Sequence, residues 1–156
     1  MRTIYTVSTG AAVALVAATA KTILAVLTPA QFGGDLLGYQ IAFDGVTASA
    51  VPVLIEICRS TNATNSTPGT NNTTATVVQD GGQAVTAGFT GFYASTSEPT
   101  VLTPFERFTV TPNGGTLVYD YPSDRTPDWA VSAGIVIRCT APAGVNVNAT
   151  LKFARS

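Results

Sequence analysis

No histidine occurs anywhere in the 156 residues of this chain. That absence removes the commonest general base, the commonest metal ligand and the third member of most nucleophilic triads. Charge is also scarce. Only 11% of residues are Asp, Glu, Lys or Arg, and eight basic groups against nine acidic ones leave a net charge of −1. These charges are spread without blocks, so the chain has no electrostatic footprint for nucleic acid or an anionic membrane. Neither cysteine, Cys58 or Cys139, has a histidine to activate it as a nucleophile. The sequence contains no Gly-rich phosphate loop, no Gly-x-Ser-x-Gly elbow and no Cys-x-x-Cys pair. Long hydrophobic runs are missing as well. Ala11 to Ala18 is apolar, but it is Ala-heavy and too short to span a bilayer. Ala18-Thr19-Ala20 looks like a cleavage site, yet only Arg2 supplies charge ahead of it and Ile4-Tyr5-Thr6-Val7 intervenes. The segment is expected to be mature structure, with no signal peptide. No cofactor or metal is expected either.

What is present is strand grammar. Hydrophobic residues make up 46% of the chain, and seven Phe and five Tyr can anchor a core. A chain of 16.0 kDa suits one domain, residues 1–156. Val145, Val147, Ala149, Leu151 and Phe153 alternate with polar residues, a period of two that marks a half-buried strand. Ser132 to Thr140 reads the same way, and Ala141-Pro142-Ala143-Gly144 between them predicts an antiparallel hairpin. Two further pairs are expected, Leu36 to Phe43 with Val51 to Arg59, and Phe105 to Thr111 with Thr116 to Tyr121. Lys21 to Thr28, Thr3 to Ser8 and Phe89 to Ser95 complete the set, and Ala11 to Ala20 is read as extended rather than helical. About eight or nine antiparallel strands then imply an all-β fold, a jelly-roll-like β-sandwich or a small barrel.

Ser60 to Thr74 is almost wholly Ser, Thr, Asn, Gly and Pro, and predicts a long surface loop (60–74). Cys139 shares parity with Ile135 and Ile137, whereas Cys58 is out of parity with Val53, Ile55 and Ile57. If both apolar sets face the core, the thiols point to different faces and stay unbridged.

Candidate chemical groups have plainer alternatives. Asn62, Asn65, Asn71, Asn72 and Asn148 fit a glycosylation pattern that chance supplies readily in so Thr- and Asn-rich a chain. Asp120, Asp124 and Asp128 lack the Asp-x-Asp spacing of calcium loops, and Arg125 is expected to pair with one of them. Glu98 and Glu106 could form a glycosidase pair, but an ion pair between Glu106 and Arg107 is simpler. Trp129 with Tyr119 and Tyr121 could stack on a sugar, or serve as core or interface anchors.

The order of features carries one resemblance. Met1-Arg2-Thr3-Ile4-Tyr5-Thr6-Val7 opens the chain, and an Ala/Thr-rich segment leads to Thr22 to Thr28. Val51 to Arg59 opens into the Asn/Thr loop. Leu117-Val118-Tyr119-Asp120-Tyr121-Pro122 and Ala149-Thr150-Leu151-Lys152-Phe153 follow. This resembles the small capsid decoration (cement) proteins of tailed bacteriophages. The resemblance implies a structural virion protein, made in the host cytoplasm and bound to the outer capsid surface. Its implied partners are the major capsid protein and further copies of itself, a homotrimer being favoured. Arg2, Ile4, Tyr5, Val7 and Trp129 are the candidate interface residues, and the N-terminal strand or arm (1–9) is expected to add to a neighbour. The alternative is a carbohydrate- or receptor-binding β-sandwich module of a phage fibre or cell surface.

Overall fold

The computed structural model describes residues 2–44, 52–61, 71–82, 85–113 and 115–156. Among them are thirteen strands and no helix. The first five are β1 (Ile4–Ser8), β2 (Val13–Leu15), β3 (Ala20–Leu27), β4 (Gly34–Phe43) and β5 (Val53–Thr61). Next come β6 (Thr73–Ala75), β7 (Val77–Gly81), β8 (Thr90–Tyr93) and β9 (Leu102–Val110). The chain continues with β10 (Thr116–Asp120), β11 (Asp128–Trp129), β12 (Ala133–Thr140) and β13 (Val145–Arg155). The count exceeds the expected eight or nine by β2, β6, β7 and β11, three of which are only two or three residues long.

One sheet runs β10-β4-β13-β1-β7 and the other β6-β8-β3-β12-β5-β9. Eight strands form the frame: β1, β3, β4, β5, β9, β10, β12 and β13. The first of these lies beside the last, the last beside the third, and the third beside the sixth. In the second sheet the second lies beside the seventh, the seventh beside the fourth, and the fourth beside the fifth. This is the double Greek-key order of a jelly roll.

That order overturns all three expected hairpins. β12 and β13 lie in different sheets, as do β4 and β5, and β9 and β10. The physical reason is that a period of two only fixes which side chains face the core. It is satisfied equally by a partner beside the strand and by one across the roughly 10 Å gap between sheets. Pro142 and Gly144 make a crossing from sheet to sheet, and Ala141 is buried at its start.

The main core lies between the sheets. β13 supplies Val147, Ala149, Leu151 and Phe153; β3 supplies Leu24 and Val26; β5 supplies Ile55 and Ile57; β12 supplies Ile135, Ile137 and Cys139. A second, smaller cluster occupies the opposite face of the β3–β12–β5 sheet. There Phe92, Ala25, Val136 and Cys58 stand in one row across four strands, all fully buried. Gly134 in the next row leaves room for Leu27, whose Cδ2 would lie 2.5 Å from any added Cβ. Both cysteines are free, one in each cluster, as their parity requires.

Between the paired neighbours β5 and β9 the chain makes a long excursion that carries β6, β7 and β8. The expected loop 60–74 falls here, and its residues 62–70 lie outside the described residues. Ser60 and Thr61 end β5, and Thr73 and Thr74 belong to β6.

Candidate interaction surface

The predicted interface residues do not form one surface. β1 is bonded on both sides, to β13 through Ile4↔Ala154 to Ser8↔Thr150, and to β7 through Ile4↔Gly81 to Val7↔Val77. An arm free to join a neighbour's sheet is therefore corrected to an interior strand of its own sheet. Tyr5 and Val7 point into the core, at 0% and 1% exposure. Trp129 is buried as well, packed among Phe89 and Phe153. Arg2 forms an ion pair with Asp35, and Ile4 is half-buried on the outer face of the sheet.

The two flanks of the sandwich are closed differently. On one flank, β6 pairs with β8 in one sheet, and after Thr76 the same extended segment continues as β7 beside β1 in the other. The backbone itself crosses there. Gly91 allows it, because a Cβ at that position would meet Ala75 O at 2.7 Å and Val7 Cγ2 at 2.8 Å. On the other flank, β9 and β10 end their sheets with no strand between them among the described residues. Side chains make the link instead. Tyr39 Oη donates to Glu106 Oε2 at 3.0 Å, and Tyr121 Oη donates to Glu106 Oε1 at 2.7 Å. Glu106 is on β9, whereas Tyr39 is on β4 and Tyr121 follows β10, so one carboxylate ties the sheets together. Burial first, and then the bond to Glu106, push both phenols well above the usual tyrosine range. Tyr39 also packs against Phe108 and Tyr119, and Tyr119 against Tyr121 at 4.9 Å between ring centroids.

This arrangement corrects the expected pair of Glu106 with Arg107. Successive strand residues face opposite ways, and Arg107 Nε meets Glu56 Oε1 at 3.0 Å on the other face of the sheet. Arg138 Nε binds Glu56 Oε2 at 2.7 Å, so the buried Glu56 is held between two guanidinium groups. Glu98 lies apart from Glu106 and accepts from Thr22 N and Oγ1, both at 2.6 Å. Arg125 makes no ion pair with Asp120, Asp124 or Asp128 among the described residues. Asp120 instead faces Lys152 at 3.8 Å and Asp128 faces Arg59 at 3.5 Å. No group of three potential metal-ligating side chains occurs among the described residues. Of the three aromatics considered together, Tyr119 and Tyr121 meet at the flank while Trp129 sits in the core.

The outer faces of the sheets also differ. The β3–β12–β5 sheet carries its second apolar cluster there, already buried. The β10-β4-β13-β1-β7 sheet presents small polar residues. Val118, Gln40, Thr150 and Ser8 stand in one row across four strands, and Asp120, Gly38, Lys152, Thr6 and Val78 in the next across five. Ser8 Oγ and Thr150 Oγ1 lie 2.8 Å apart, and Thr9 Oγ1 reaches Asn148 Oδ1 at 3.5 Å. Val118 and Val78 are exposed by 55% and 54%. This broad face was missed from the sequence, although the polar half of each alternating strand was its signal. No family model, curated protein or solved structure matches the chain.

Proposed function

We propose that the chain is a structural virion protein of the decoration class, which binds the outer capsid surface as an oligomer and bridges capsid subunits. It acts by assembly and not by catalysis. One observation carries this reading. The jelly roll seals one outer face with its own residues and leaves the other as a five-stranded, polar and nearly neutral platform. Hydroxyl and amide side chains on that platform bond one another, so they are ordered before a partner arrives. Such a face suits a lattice, where modest contacts per copy multiply when an oligomer engages several subunits. The trimer and the major capsid protein are the partners proposed. A carbohydrate-binding module of a fibre or cell surface is the second reading, favoured by the paired Tyr119 and Tyr121 rings at the flank.

The test is reconstitution. Purified chain is expected to rebind capsids from which it has been stripped and to raise their rupture temperature. Thr150→Arg, in the middle of the platform, is expected to abolish rebinding while the melting temperature of the free protein stays put. Rebinding that survives Thr150→Arg removes the platform from the contact, and a chain that never rebinds overturns the reading.

A further inference from the structure

β6, β7, β9 and β10 end the two sheets, and three of them are guarded against a further strand. β6 is only three residues long. β7 is bulged against β1, since Ile4 pairs with Gly81 and Tyr5 with Gln79. β9 carries Pro104, which has no amide to donate, and a bulge against β5. Short length, bulges and proline are the usual means of keeping an edge from joining another chain. β10 differs. It pairs with β4 in unbroken register over five residues, Thr116 to Asp120, and includes no proline, lysine or arginine. Phe43 N donates to Gly115 O and Tyr121 N to Leu37 O, so the odd-numbered residues of β10 turn their amides and carbonyls toward β4. Thr116, Val118 and Asp120 therefore aim theirs away from the sheet. These three amides and three carbonyls have no partner among the described residues, and all three residues are exposed.

The open edge is complementary to itself. Turned about a twofold axis at Val118, two β10 strands set Val118 against Val118 and Thr116 against Asp120 in antiparallel pairs. All six backbone groups are then bonded, and no like charges meet. Any slip leaves at least one of the three residues beyond the partner strand. The slip that brings Asp120 to the axis also opposes two carboxylates. Side chains favour the same register. Val118, 55% exposed on an otherwise polar face, is covered by its own copy. On the opposite face Leu117 comes against Tyr119, 42% exposed, in the close type of pair, which sets an aromatic ring beside an aliphatic chain twice. We propose that β10 is the edge at which a second copy of this chain adds, joining the five-strand paths of two sandwiches into one continuous sheet. Every copy is paired in this way, so a closed assembly holds an even number of copies. The contact does not rest on the capsid reading, and a threefold contact would use another surface.

Sedimentation equilibrium on the full chain tests it. One edge strand makes a small interface, so a Kd on the order of 100 μM is expected. The mass at about 1 mM should then approach twice the mass at about 10 μM. An odd number of copies at both concentrations overturns the proposal. Hydrogen exchange read by NMR reports the register. The amides of Thr116, Val118 and Asp120 should exchange roughly threefold more slowly at about 1 mM than at about 50 μM. Those of Leu117 and Tyr119, already turned to β4, should keep their rates, and protection that rises without this alternation overturns the pairing. Val118→Lys, which opposes two ammonium groups across the axis, should weaken association at least about tenfold. Its melting temperature at low concentration should stay put, because the side chain is exposed. Val78→Lys, 54% exposed on β7, should leave association intact. Association indifferent to Val118→Lys, or lost equally with Val78→Lys, overturns the proposal.

Discussion

The two flanks of the sandwich solve one problem by different means. Where β6 runs on into β7, a continuous backbone passes from sheet to sheet, and the constraint is the space that Gly91 leaves. Where β9 and β10 end their sheets, nothing continuous crosses, and the link is a carboxylate gripped by two phenols. A backbone crossing is insensitive to solution chemistry but intolerant of volume. A side-chain link tolerates volume but depends on protonation. β9 is blunted as an edge by Pro104 and by a bulge at Phe105, since Ile57 pairs with Glu106 and Cys58 with Pro104.

The comparison can be broken most forcefully at the backbone flank. Gly91→Val should cost about 3 kcal/mol or more, because the added atoms meet Ala75 O and buried Val7 with no route of escape. Urea titration of the variant measures it, and a loss below roughly 1 kcal/mol would mean that the crossing is soft. At the other flank, Glu106→Ala should cost about 2–3 kcal/mol by leaving two partly buried phenols without their acceptor. Tyr121→Phe, which removes one of the two bonds, should cost about 1 kcal/mol. If the two variants destabilise equally, the carboxylate is not shared as described.

Alkaline pH sharpens the contrast. The folded state raises the phenol pKa of Tyr39 and Tyr121, so it holds their protons more tightly than the unfolded chain does. Their contribution is fully present below the unfolded value near 10 and is lost as pH climbs beyond it. Urea midpoints measured from pH 8 to 11 should therefore fall at the upper end, and Tyr39→Phe with Tyr121→Phe should flatten the decline. The smallest effect is expected at Val118, exposed by 55% on the outer face of β10, where Val118→Thr should change stability by no more than about 0.5 kcal/mol.

How much of this was legible depended on whether a feature is local along the chain. The alternation of Val145 to Phe153 is local, and the observed burial follows it residue by residue. Cysteine parity was equally readable, and Cys58 and Cys139 stand on opposite faces of their sheet. Pairing is not local, and so the short turn after Thr140 read as a hairpin when it is a crossing. The same limit applies to the residues expected at an interface. Tyr5 and Val7 belong to an alternating N-terminal strand and Trp129 is a large aromatic, and neither trait by itself separates a contact surface from a core. The link through Glu106 joins residues 67 and 15 positions away, a closeness that only topology creates.

β13 is the widest organiser in the molecule, lying between β4 and β1 and also pairing with β2. It also follows both β1 and β4 in chain order. While the chain leaves the ribosome, β1 and β4 wait without the neighbour that joins them, and their sheet cannot close until β13 has emerged. The outer face spanning β10, β4, β13, β1 and β7 therefore takes shape only once β13 has joined the chain.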